Sequence, residues 1–194
     1  MLVGGFFGYS VSKKSPVKLN PAMRQEASTG LKVGANKKTV SDKIIHVDVP
    51  IDIEIPVLDI QAKIEAVGLD DQNRMDTPKN VYNTGWYMLG VRPGEVGSAL
   101  IDGHYDTPSG APSVFYKLNK AKAGDEIYIT DKNDERHTFV VYEVNDYHYT
   151  LVPMGELVQK TAEKRLHLIT CGGKWDKNEK TYTNRTVVSA RMAE

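Results

Sequence analysis

Cysteine is nearly absent: the 194-residue chain has one, Cys171. This excludes an internal disulfide and a four-thiolate zinc site. It leaves the thiol as either a small buried core residue or a reactive group. Net charge is missing too, with 25 basic against 25 acidic residues. This balance argues against a nucleic-acid binder, which usually carries a basic face, and no nucleic acid is expected as a partner. Long apolar runs are also lacking. The apolar start, Met1–Val11 (MLVGGFFGYSV), is about half of the roughly 20 residues a membrane helix needs. No Lys or Arg precedes it, as one would in a signal peptide. It reads equally as the outer end of a membrane anchor or as an ordinary N-terminal segment.

What is present fits one well-filled domain with an extension. Charge is unevenly placed: residues 1–45 carry eight Lys or Arg against two Asp or Glu, leaving an acidic remainder. A basic tail on an acidic body suits a juxtamembrane or wall-facing segment, or simply a soluble leader. From Ser12 to about Lys43 the chain is rich in Lys, Ser, Ala, Gly and Asn, a composition that cannot bury enough surface to offset ordering. The expected organisation is an apolar stub and flexible linker over 1–45, then one domain over 46–194.

In that domain, the alternation of Val and Ile at 47, 49, 51, 53 and 55 has the period of a half-buried strand. Further strands are expected at Val57–Val67, Ser98–Ile101, Glu126–Thr130, Thr138–Val144, Leu166–Thr170 and Thr186–Ala190, with a hairpin loop at Asp131–Arg136. Helical signal is confined to Ser113–Asn119 and Met154–Lys164. Many short strands and few helices predict a mainly β domain, a sandwich or a barrel.

Cys171 follows the apolar run Leu166–Thr170 and precedes two glycines, so it is expected where a strand opens into a loop, a common place for reactive side chains. A thiol becomes a nucleophile when a positive group favours its thiolate. His167 is about 13 Å away along the same strand and cannot pair with it. His46 and His137 read as surface residues, and His148 has no evident role. His104 ends the apolar strand 98–103, and Arg185 begins the strand 186–190. Each has a plain structural alternative, a capping histidine and a solvated arginine. Their shared feature is a place at a strand boundary beside loop residues.

Leu166–Cys171 (LHLITC) resembles the T-L-x-T-C strand of sortases, and Ser98–His104 (SALIDGH, preceded by Gly97) resembles their glycine-histidine strand. Arg185–Ala190 (RTVVSA) is similar to their arginine strand. Blocks at Gly85–Tyr87, Pro93–Glu95, Val114–Leu118 and Gly124–Asp125 extend the resemblance over about residues 48–192, most closely to single-domain sortases grouped as class F. The resemblance implies a closed eight-stranded β-barrel and a cysteine transpeptidase. Such an enzyme cleaves an L-P-x-T-G-like sorting signal between Thr and Gly. Cys171 would be the nucleophile, His104 the acid and base, and Arg185 the oxyanion or substrate donor, with Thr170 positioning substrate. Implied partners are surface proteins with a C-terminal sorting signal and an amine acceptor, such as a cell-wall precursor or a pilin lysine. The implied location is the outer face of the cytoplasmic membrane, with Met1–Val11 as an anchor remnant. Asp70, Asp71, Asp76 and Glu156 form no recognisable calcium loop, so neither metal nor cofactor is expected. A cell-wall cysteine hydrolase and a non-catalytic β-barrel binding module are the alternatives.

Overall fold

The structure, a computed structural model, describes residues 47–194. The expected stub and linker, Met1–Val11 and His46 lie outside the described residues. Eight strands close into a barrel in the order β1-β2-β3-β4-β7-β8-β6-β5. They are β1 Pro50–Ile55, β2 Ile60–Val67, β3 Thr84–Tyr87, β4 Gly97–Gly103, β5 Glu126–Asp131, β6 Arg136–His148, β7 Lys164–Asp176 and β8 Thr181–Met192. One short α-helix, α1 (Met154–Leu157), and three 3-10 turns complete the described elements. The fold is thus mainly β and closed, which leaves no open sheet edge.

Alternation drives the closure. Ile53 and Ile55 on β1, Ile127 and Ile129 on β5, and Leu166 and Leu168 on β7 are buried in one central cluster, each pair two residues apart and so on one face of its strand. β2 with β3 and β4 with β7 pair in parallel; the other neighbours are antiparallel. Parallel neighbours cannot be joined by a tight turn, and β4 reaches β7 only through the intervening β5–β6 hairpin and α1.

Several expected boundaries move, each for a local reason. Pro56 lacks an N–H and fixes its φ, so the run 57–67 begins as a 3-10 turn, Pro56–Leu58, and the strand starts at Ile60. The helix expected over Ser113–Asn119 is a set of turns ending in the 3-10 segment Leu118–Lys120. The one expected over 154–164 stops at Leu157. β7 does not end at Cys171: it runs to Asp176, and only residues 177–180 turn the chain back into β8.

His137, expected at the surface, is buried at 2% exposure. Its Nε2 lies 3.1 Å from Asp131 Oδ2. Asp131 also accepts from the backbone N–H groups of Asp48 (3.0 Å), Asn133 (2.8 Å) and Glu135 (3.1 Å). Burial alone would raise this carboxyl, but those donors outweigh it and hold it below the ordinary carboxylate range. The hairpin folds over its own polar residues and so hides a histidine that its charged neighbours made look exposed.

Candidate active site

Three neighbouring strands, β4, β7 and β8, carry the candidate residues. Leu166, Leu168 and Thr170 of β7 face the interior, so alternation puts Cys171 on the opposite, outer face with His167 and Ile169. Antiparallel pairing sets Cys171 directly across from Arg185, where Cα atoms lie about 4.5–5.5 Å apart. On the other side β4 pairs in parallel, with Asp102 beside Ile169. The hydroxyl of Thr170 donates to the Gly103 carbonyl at 2.7 Å, which carries the register one step further. His104 follows directly, where the chain leaves β4 at the end that lies beside this part of β7. The three candidates come from different parts of the chain: Cys171 and Arg185 are paired, and His104 leaves the neighbouring strand at the same end.

Each is held by its surroundings. Arg185 donates from Nη1 to the carbonyls of Tyr182 (3.0 Å) and Asn184 (2.8 Å), and from Nη2 to Thr181 Oγ1 (2.9 Å). The His104 carbonyl accepts from Phe115 N–H at 2.9 Å, and Phe115 is fully buried. Cys171 is half-buried. Burial pushes its thiol up; Arg185 pulls the other way, and Asp106 and Asp102 add to the rise.

The remaining candidates separate by place. Thr170 is buried, and its hydroxyl acts on Gly103, beneath His104. His167 is buried and its Nδ1 lies 2.9 Å from Ser189 Oγ, with Nε2 unpartnered; burial drives its pKa down to about 4. His148 is exposed and caps the 3-10 turn Tyr149–Leu151 through Thr150. Arg191 stands across from Arg165, at the other end of β7.

Sequence reasoning missed two acidic residues and an aromatic group beside the thiol. Asp102 has a buried, unpartnered Oδ1, and burial raises its pKa to about 8. Asp106 accepts a hydrogen bond from the Tyr182 phenol. Tyr105 packs against Tyr116 and Tyr182, and Tyr182 against Trp175. The available signal was position: Asp102 and Asp106 flank His104 two residues either side. A cavity of about 280 Å³ borders this group, lined among others by Tyr105, Tyr116, Asp146, Thr170 and Gly172. Among the described residues, no group of three or more His, Cys, Asp or Glu is placed to hold a metal ion.

Comparison with known proteins adds an independent line. The family model described as Sortase domain matches residues 53–193. No curated relative matches the chain. Among solved structures, sortase A from Corynebacterium diphtheriae (a lid mutant) is similar at 22% identity, covering 77% of this chain and 72% of that one with a TM-score of 0.58. Sortase C from Clostridium perfringens SM101 follows at 19% identity, 78% and 73% coverage and 0.55. Sortase C2 of Group B Streptococcus Pilus Island 1 has 18% identity, 77% and 76% coverage and 0.57. At these identities the structures speak for the barrel.

Proposed function

The chain belongs to the sortase family of cysteine transpeptidases, and from that premise we propose that Cys171, His104 and Arg185 carry the reaction. The observation that supports this most is their common end of the sheet: Cys171 is paired with Arg185 on one side, and on the other Thr170 is bonded to Gly103, the residue before His104. The Cys171 thiolate attacks the threonine carbonyl of an L-P-x-T-G-like sorting signal, forming a C–S bond and a tetrahedral oxyanion. As the C–N bond to glycine breaks, imidazolium at His104 gives its proton to the departing amine. The thioacyl enzyme remains. An incoming amine then attacks the same carbon, His104 takes its proton, and the thiolate leaves with the new amide formed.

Arg185 serves the oxyanion. Its guanidinium carries five N–H donors, and three contacts fix its orientation. Nε–H and one Nη2–H are left to face substrate. A fixed cationic donor aimed where charge develops needs no reorganisation during the reaction. Thr170 acts at one remove, by holding Gly103 and hence His104 in place on the substrate side.

Members of this family act on surface proteins bearing sorting signals, with an amine as acceptor, and work at the cell surface. For this chain the acceptor is proposed to be the amine of a cell-wall precursor or a pilin lysine. Anchoring at the outer face of the cytoplasmic membrane is proposed from the family; no helix among the described residues is long and apolar enough to cross a membrane. The test is incubation of the protein with sorting-signal peptides and added amines. The amide product should form in wild type and be absent from Cys171→Ala, and His104→Ala should be slower by about 100-fold or more. Hydrolysis without transfer would favour the hydrolase, and turnover by Cys171→Ala would end the enzymatic reading at that residue.

A further inference from the structure

Tyr182 is where three parts of the site meet. It lies on β8, three residues before Arg185, and its carbonyl accepts from Arg185 Nη1 at 3.0 Å. Its phenol donates to Asp106 Oδ2, two residues past His104. Its ring packs edge-on against Tyr105 and against Trp175, with centroids 5.3 Å apart in each case. Trp175 stands on β7, past Cys171.

The segment after His104 needs such a tie. β4 ends at Gly103, and its ladder to β7 stops at Asp102, two residues short of His104. The backbone bonds of His104 and Tyr105 run instead to Phe115 and Ser113, on a different loop. A hydrogen bond to an ionised carboxylate is among the stronger side-chain contacts. Here it spans 76 residues of sequence, from the histidine segment to the hairpin that carries both Cys171 and Arg185.

We propose that Tyr182 and Asp106 are positioning residues for the transpeptidation, a clasp beside Cys171 that holds the His104 segment from one side and the Arg185 guanidinium from the other. This rests on the reading of Cys171 as nucleophile. The clasp has an electrostatic side as well. The groups acting on the thiol are Arg185 from β8, Asp102 from β4 and Asp106 from the segment beyond it, with Tyr182 near enough for the thiol's charge to act on its phenol. Asp106 opposes thiolate formation, and the Tyr182 O–H tempers that charge by donating to it. The hydrogen bond to Asp106, with burial, pushes the phenol up to about 12, so Tyr182 remains a donor across the working range of pH.

Two conservative variants separate the clasp from plain packing. Tyr182→Phe keeps the ring and removes the donor; Asp106→Asn keeps the shape and removes the charge. Two quantities are measured: kcat and KM for peptide-to-amine transfer, and the pH midpoint for iodoacetamide alkylation of Cys171, the chain's one thiol. Each variant should lower kcat about tenfold or more with KM little changed, the loss expected for a charge-assisted hydrogen bond. The alkylation midpoint should move in opposite directions, down in Asp106→Asn and up in Tyr182→Phe. A simple loosening of the fold would not split the two in that way. Wild-type kcat in Tyr182→Phe overturns the clasp, as do midpoints that stay put or move together. Absence of transfer in wild type would instead overturn the functional reading, and the midpoints would still decide whether Tyr182 and Asp106 act on the thiol.

Discussion

Arg185 and Arg191 sit six residues apart on one face of β8, and only distance along the strand separates their chemistry. Arg185 is paired with Cys171, while Arg191 is paired with Arg165, about 20 Å further along at a strand's rise. Arg191 already has partners, Glu163 at 3.4 Å and the Tyr142 ring at 4.4 Å. Arg185→Ala should lower kcat/KM by about 100-fold or more, and Arg185→Lys should recover little, since an ammonium cannot reproduce the planar fork. Arg191→Ala should be nearly silent; a larger loss there than at Arg185 would contradict the register-based assignment. Asp102 gives a second residue-scale prediction, for stability. Its carboxyl ionises near pH 3.8 when unfolded but holds its proton to about 8 when folded. The folded state therefore binds more protons across that window, and stability falls as pH rises from about 4 to 8. Asp102→Asn should flatten that slope and raise the melting temperature at pH 8. An unchanged slope would mean that the buried Oδ1 is not titrating as its surroundings require.

Elements were legible to the degree that their residues alternate. β1 and β5 announce themselves by β-branched residues at period two, and the core halves of β7 and β8 by short apolar runs. Thr84–Tyr87 was visible only as a family block, because four residues are too few to display a period. The β7–β8 hairpin misled for a physical reason. Gly172 and Gly173 look like the opening of a loop, yet they lie inside a strand whose register shifts between Gly172 and Trp175. Gly173 has φ of 77°, and a Cβ there would lie 2.8 Å from Asn184 Oδ1. The glycines admit a bulge and the strand continues. The placing of the β4 end, and so of His104, beside β7 rests on the parallel β4–β7 register, a long-range pairing that no local pattern encodes. Gly103 tests that pairing. A Cβ on it would fall 2.5 Å from the Phe115 ring, and Phe115 is fully buried and bonded through its N–H to His104. Gly103→Ala should destabilise the barrel by about 1–3 kcal/mol and slow transfer by shifting His104. Wild-type melting and rate in that variant would show that the close approach of β4 to Phe115 is not required.

At the scale of the whole molecule, the question is where the self-sufficient domain begins. Composition points to a linker through residue 45, and contacts point to a firm attachment just beyond it. Val47 is buried at 7% exposure, and its carbonyl accepts from Arg92 Nη1 at 3.3 Å. The next residue, Asp48, donates its backbone N–H to the Asp131 carboxylate at 3.0 Å, and Val49 packs against the core cluster. These three residues therefore join the entry of β1 to the β5–β6 hairpin. Burying a valine side chain contributes about 1.5–3 kcal/mol. Losing the Asp48 N–H would also leave the buried Asp131 with one donor fewer, at a cost of about 1 kcal/mol or more. We expect a chain that starts at Asp42 to fold and to transfer peptide at the full-length rate. A chain that starts at Pro50 should melt several degrees lower, given that about 1 kcal/mol shifts a domain of this size by roughly 2–4 °C. The rate of its folded fraction should hold, because Val47–Val49 lie on β1 and β5 contacts away from β4, β7 and β8. Melting curves and initial rates on the two shortened chains decide the matter. Loss of activity in the Asp42 chain would show that the basic segment takes part in the site, and equal melting of the two would show that the attachment at 47–49 carries no stability.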